Sequence, residues 1–425
     1  MVRTHTLHAP LLLLLCSVAA SHQSLALNVR SYPSSTTDSK TPVALSLARN
    51  VNATGSRNVL KLDQARAQAF RARARGPNQI PSNAAAFNDE ATGRVVTYTV
   101  NVAVGNPPTS YNLLIDTGSS NTWVGAASLD LFHPSCQPTN DIVAVSYGSG
   151  SFIGLEKLCE VTLVEGLTIP EQSVGVAAIS KGFNGVDGIL GIGPVDLTQG
   201  TLVLESEKEV PTVTDNAQKL GLLTEYIVGI SFEPLNQDNE TNGELTFGGV
   251  NHSKFNGTLN YAPLTKVSPA SKYVGIDQKI TYGEGQPVMP SGSGILDTGT
   301  TLILLATDAF DKYKNYTGAQ LDNDTGLLRI TPEQYANLKS LQFTIGGVSY
   351  ELTQNAQIWP RTLNAAMGGD PEGIYLIVND LGQISGSGLD FINGMGFLER
   401  FYMVYDVGNS RAGLATTPFT YATTN

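Results

Sequence analysis

One tripeptide, present twice, constrains this chain more than any other feature. Asp116-Thr117-Gly118 follows the apolar run Leu113, Leu114, Ile115 and precedes Ser119 and Ser120. Asp297-Thr298-Gly299 follows Ile295 and Leu296 and precedes Thr300 and Thr301. The copies lie 181 residues apart, enough chain for a domain each. A lone Asp-Thr-Gly arises by chance in roughly one chain in ten of this length, and Asp and Gly are ordinary turn residues. Two copies with matched flanks read instead as an internal duplication that supplies one carboxylate per half.

The surrounding pattern sets the fold class. After residue 90, short runs of Val, Ile, Thr, Tyr and Leu alternate with Gly, Asn and Pro; the 425-residue chain holds 43 Gly, 21 Pro and only 15% charged residues. Such punctuation predicts an all-β body: two similar barrel or sandwich lobes around a central cleft, with a few short helices. Thr331-Pro332-Glu333-Gln334 is a capping-box start for a helix to about Lys339. Thr307 is read as the cap of a second helix to about Asn315. Residues 214–220, stopped by Gly221, make a third.

The residue types suit acid–base chemistry. Glycine lets each loop turn sharply and approach its twin, and the Thr and Ser hydroxyls can hold the carboxylates. Two carboxylates about 3 Å apart repel by about 5 kcal/mol at an effective dielectric of about 20, or about four pKa units. They therefore share a proton over a wide acidic range and titrate as a unit. Such a pair can activate water with one oxygen and protonate a leaving amine with another.

The N-terminus reads as a secretory signal. Arg3 precedes an apolar run of about a dozen residues centred on 11–15, followed by Val18, Ala19 and Ala20. We assign residues 1–20 to it, with cleavage as late as 26. A membrane anchor would need roughly 20 apolar residues. The exported part then keeps Cys136 and Cys159, and five sequons follow the leader, at Asn239, Asn251, Asn256, Asn315 and Asn323. The expected location is extracellular, with no membrane or nucleic-acid partner and a monomeric state.

Charge divides what remains. Residues 27–82 carry nine basic and two acidic side chains, net +7; residues 83–425 carry 16 basic and 35 acidic, net −19. A basic leader before an acidic body suits an electrostatic latch; a solvated tail is the blander reading. We read 27–82 as an inhibitory propeptide, 83–265 as the first lobe and 266–425 as the second. Residues 43–70 are expected to form a strand and then an amphipathic helix, and 71–77 (Arg-Ala-Arg-Ala-Arg-Gly-Pro) a processing region. Lys61 is the expected contact to the carboxylate pair.

On these motifs the chain resembles the pepsin-like aspartic proteases, and within them a basidiomycete group, from about Val95 to the C-terminus. Pepsin itself is the standard example of the split carboxylate pair. The resemblance implies that Asp116 and Asp297 are catalytic, the first charged and the second protonated at rest. It implies that Thr117 and Thr298 bond across the lobes, and that Ser119 and Thr300 flank the carboxylates. Tyr147-Gly148-Ser149-Gly150 matches the tip of a flap over the substrate, and Trp123 the support of its tyrosine. Residues 186–191 and 391–394 match the segments beside the two catalytic loops. Peptide or protein substrates, bulky apolar residues at the cut, an acidic optimum and no acyl-enzyme are implied as well.

The residues agree on the flap: 147–150 is a tight-turn signal between β-prone runs. Cys136 and Cys159 straddle it almost symmetrically, which places a disulfide at the hairpin base; two unpaired buried thiols are the alternative. Departures from the family pattern are Asn393 where an aliphatic residue is usual, Met395 where Asp is usual, and no second-lobe disulfide. A polar Asn there needs a hydrogen-bond partner.

Other chemistries lack their parts. His133 and His252 have no metal-ligand spacing, so no metal and no cofactor is expected. No Gly-x-Ser-x-Gly elbow or phosphate-binding loop stands out. The competing functional reading is a catalytically silent binding or inhibitor protein of the same fold.

Overall fold

The computed structural model describes residues 41–51, 59–75, 96–127, 135–234 and 241–425. The signal segment, Gly76 and Pro77 of the processing region, His133 and Asn239 lie outside these residues. Among the described residues, thirteen strands form one sheet, seven a second and three a third. The chain is mostly strand, as the Gly- and Pro-punctuated runs predict.

The duplication is visible in the strand pairing. Thr109–Asp116 lies parallel to Gly188–Gly191, which pairs antiparallel with Thr122–Val124. In the second half, Gln286–Leu296 lies parallel to Phe391–Asn393, which pairs antiparallel with Ile303–Leu305. The central short strands are buried on both faces, which explains apolar runs without alternation. Each Asp-Thr-Gly turn therefore emerges from the middle of a sheet, where its backbone is held on two sides.

The basic leader is built into this frame. Its strand, Val43–Val51, pairs with Thr241–Phe247 on one side and Val96–Val104 on the other. It is an interior strand of the largest sheet, not an edge. The C-terminal strands Phe401–Asp406 and Arg411–Thr416 join that same sheet through Ile227–Ser231.

A helix over Val59–Ala74 follows the leader strand. The expected strand and helix are both present, but the buried face is not an apolar stripe. It comprises Val59, Asp63, Ala65, Arg66, Ala67 and Phe70, so it carries an acid and a base one turn apart. The shorter helices fall near their expected places: Val213–Lys219, Thr307–Thr317 and Pro332–Asn337. Thr331 and Gln334 complete the capping box. Thr307 opens its helix without capping it, because its hydroxyl bonds Asp380 instead.

Candidate active site

The two Asp-Thr-Gly turns meet back to back. The Thr117 N–H donates to the Thr298 hydroxyl at 3.0 Å, and that hydroxyl donates to the Ile115 carbonyl at 3.1 Å. The mirror pair runs from the Thr298 N–H to the Thr117 hydroxyl at 3.0 Å and on to the Leu296 carbonyl at 3.2 Å. A hydroxyl both donates and accepts, so threonine closes this four-bond grip with no group left over.

The carboxylates sit just above it, fully buried. Asp116 accepts from the Gly118 N–H at 3.0 Å and from the Ser119 hydroxyl. Asp297 accepts from the Gly299 N–H at 3.2 Å and from the Thr300 hydroxyl. The glycines are required by contact. A Cβ on Gly118 would stand 2.7 Å from an Asp297 oxygen, and one on Gly299 would stand 2.6 Å from an Asp116 oxygen.

Between the carboxylates lies Arg66, from the leader helix. Its Nε donates to Asp297 at 2.7 Å, and its Nη2 donates to Asp297 at 2.9 Å and also to Asp116. The expected Lys61 contact is therefore incorrect. Lys61 is exposed, and five residues at about 100° each separate the two positions by about 140° around the helix. A planar guanidinium also reaches two carboxylates at once, which an ammonium does less well. Burial opposes the Arg66 charge, but the two carboxylates outweigh it and raise its pKa further. Burial likewise favours protonated Asp297; Arg66, Thr300 and Gly299 override that and hold its carboxyl below the usual range. The guanidinium thus favours the charged form of Asp297 here, whereas the protonated form was implied for a resting dyad without it.

The helix is fastened along its length. Asp63 accepts from the Thr301 and Leu302 N–H groups at 3.1 and 2.8 Å. The Gln64 amide donates to the Asp380 carbonyl at 2.7 Å, and the Tyr273 hydroxyl donates to the Phe70 carbonyl at 3.0 Å. Phe70 packs at a tilt against Tyr273 with centroids 4.7 Å apart, and Arg73 donates to the Leu197 carbonyl. Asp63, Arg66, Phe70 and Tyr273 were not singled out as contacts by the sequence reading; the buried helical face is the signal that groups the first three.

The hairpin expected to serve as a flap is present. Gln137–Ser146 pairs with Ser151–Val164, and the Tyr147 N–H closes the tip onto the Gly150 carbonyl at 2.8 Å. Gly148 has φ 77°, and a side chain there would overlap the Ala65 carbonyl of the helix. Ser149 completes the tip. Trp123 stacks on Phe152 at 4.3 Å, and Phe183 meets the edges of both Trp123 and Tyr147. The Tyr147 hydroxyl and the Trp123 indole N–H are near neighbours, but neither completes a hydrogen bond. Cys136 and Cys159 are bonded at the hairpin base.

Asn393 has found the partner it needs. Its amide donates to the Gln278 side-chain oxygen at 2.9 Å, Gln278 returns a longer bond of 3.4 Å, and both are buried. The Asn393 carbonyl accepts from the Asp297 N–H at 3.2 Å. Met395 is buried and starts a short helix, with its N–H bound to the Thr300 carbonyl. Among the described residues no group of His, Cys, Asp and Glu side chains could hold a metal, and no helix is long and apolar enough to cross a membrane.

A profile of the eukaryotic aspartyl protease family matches residues 97–417. The chain belongs to the pepsin-like aspartic proteases. Polyporopepsin of Irpex lacteus is 58% identical over 341 residues, 80% of this protease and all of that one. Human gastricsin is 30% identical over 332 residues, 74% of this protease and 80% of that protein. The crystal structure of an aspartic proteinase from Irpex lacteus superposes with a TM-score of 0.76 at 58% identity, covering 77% of this protease and 96% of that chain. The protease is an aspartic endopeptidase, a hydrolase of peptide bonds, with a two-lobed β fold.

Proposed function

We propose that this chain is the secreted zymogen of an aspartic endopeptidase, with Asp116 and Asp297 as its catalytic pair and Arg66 as its lock. The observation that carries the reading is the Arg66 guanidinium between the two buried carboxylates. A leader helix held along the cleft by Asp63, Gln64 and Phe70 leaves a peptide substrate no access to the pair. The basic leader, net +7, on an acidic body, net −19, gives the attachment its charge dependence. Lobes at 83–265 and 266–425 and a propeptide over 27–82 are part of this reading.

Once the helix has left, the two carboxylates lose their counter-ion and take up a shared proton. A water between them is then placed to attack the scissile carbonyl. One aspartate accepts the water's proton while the other donates to the carbonyl oxygen, and collapse of the tetrahedral diol releases the amine with a returned proton. The hydroxyl and amide donors around each carboxylate are already in position, so the pair reorganises little. Strand-like hydrogen bonding under Tyr147 to Gly150 would hold an extended peptide.

Acidification of purified full-length protein, wild type beside Asp116→Ala, tests this through mass and cleavage of a denatured substrate. Loss of a leader ending near residues 76–82 and cleavage by wild type alone are expected. No cleavage by wild type, even after another protease removes the leader, would overturn the reading.

A further inference from the structure

The largest sheet ends in Gln137–Ser146 on one side and Asn256–Pro263 on the other. A free strand edge is a template for pairing with a second chain. The first edge is covered: the Ala144 N–H donates to the Thr201 carbonyl and the Val203 N–H to the Ile142 carbonyl, both at 2.9 Å. The second is covered only at its far end, where Gly346 lies against Tyr261 and Ala262. Residues 256–258 are exposed, and among the described residues no strand pairs with their outer edge. The half-buried apolar side chains Leu259 and Tyr261 follow directly.

This open stretch is a sequon, Asn256-Gly257-Thr258. The register with Arg411–Thr416 breaks between Asn256 and Asn260, and Gly257 has φ 69°, so the tripeptide bulges out of the ladder. Among the described residues the Asn256 amide has no protein hydrogen bond to give up. Asn251, five residues earlier, is the opposite case. It is half-buried. Its Nδ2 donates to Glu244 at 2.7 Å, and its Oδ1 accepts from the Ser253 N–H at 3.0 Å and the Ser253 hydroxyl at 2.7 Å. Its own N–H donates to the Tyr402 hydroxyl at 3.2 Å. A sugar on that amide would have to displace this set. Asn315 and Asn323 are exposed too, but one lies on the helix Thr307–Thr317 and the other between two short strands of the smallest sheet.

We infer that Asn256 is an N-glycosylation site, that Asn251 is not, and that the glycan on Asn256 shields the open edge of the largest sheet from a second chain. The modification is bulky, solubilising and confined to the surface. Its donor is an oligosaccharide carried on a lipid diphosphate in the secretory compartment. The Asn256 Nδ2 forms a bond to the first sugar carbon, the bond from that carbon to the diphosphate oxygen breaks, and one amide proton leaves with the lipid diphosphate. The inference rests on the secretion proposed above, because only an exported chain meets that donor.

The full chain is expressed in a yeast secretory host, recovered from the medium and digested with trypsin, which cuts after Lys254 and puts Asn251 and Asn256 on separate peptides. Masses before and after treatment with an amidase that removes N-glycans read each site. A glycan on the Asn256 peptide and none on the Asn251 peptide are expected. Asn256→Gln, and Thr258→Ala which leaves Asn256 in place, should both lose monomer on size exclusion after warm incubation, whereas Asn315→Gln, away from the edge, should not. A secreted chain with Asn256 bare, a glycan on Asn251, or undiminished monomer in both edge variants would overturn the inference and leave the protease reading standing. A chain that never reaches the medium would overturn the secretion reading and this inference with it.

Discussion

Replacing Arg66 by Gln keeps the helix and much of the side-chain volume but removes the charge between the carboxylates. Each carboxylate lies about 4 Å from the guanidinium centre, which at an effective dielectric of about 20 is worth about 4 kcal/mol apiece. Desolvation of three buried charges returns much of that sum. Removing one partner of a buried pair typically costs about 3–5 kcal/mol, and uptake of a shared proton by the freed dyad limits the loss to the lower end. About 3 kcal/mol weakens the latch about a hundredfold. If unlocking takes up about one proton, a hundredfold is about two pH units. The pH at which half of the full-length protein converts should therefore rise by about two units in Arg66→Gln. The assay holds the protein at stepped pH values for a fixed time and quenches. Leader loss is then read by mass and activity by a brief acidic pulse with a reporter peptide. Arg66→Lys, a charge without a fork, should fall between Gln and wild type, and Lys61→Ala should match wild type. An unchanged midpoint in Arg66→Gln would show that the body of the helix, not its guanidinium, keeps the site silent.

The sign of the pH dependence follows from Asp297. Its carboxyl is depressed while Arg66 is bound, so the latch is at full strength above the free dyad's range and is lost as pH falls through the depressed value; conversion should accelerate monotonically on acidification, and acceleration on raising the pH would contradict the lock. Asn393→Leu alone orphans the Gln278 amide and should destabilise by about 1–3 kcal/mol, whereas Asn393→Leu with Gln278→Leu should recover most of it by denaturant titration; equal losses in both would mean the pair is not what Asn393 needs. Opening the Cys136–Cys159 bond as a Cys136→Ser, Cys159→Ser double variant frees a separation of 23 residues and should cost about 3 kcal/mol of unfolding free energy, measured on the intact chain. No loss would imply that the hairpin is pinned by its ladder alone.

What the sequence revealed and what it hid divide along a physical line. The Asp-Thr-Gly grip was legible because every atom in it answers to a residue type. Thr supplies a hydroxyl that donates and accepts across the dyad axis, and Gly alone fits within 3 Å of the opposite carboxylate. Cys136, Cys159 and the flap tip were legible because a hairpin's register follows from spacing about its turn. Asn393 was legible as a demand, but Gln278, 115 residues away, was not, since pairing across two strands of a sheet leaves no local trace. Arg66 is the instructive miss. Composition exposed the leader's charge, yet any of nine cations could have met the dyad, and choosing among them required the helical phase. That phase is hidden because the face buried against an active site need not be apolar: Asp63 satisfies two backbone amides and Arg66 two carboxylates. A hydrophobic-periodicity reading looks for a stripe that this helix has replaced with complementary charge. For a segment that docks in a polar cleft, the informative pattern is therefore the i, i+3 pairing of opposite charges with an aromatic four residues on, Asp63, Arg66 and Phe70. The two charges make the attachment reversible, because apolar burial such as that of Phe70 does not respond to protons whereas the Asp63 and Arg66 contacts each depend on a carboxylate that acid can neutralise.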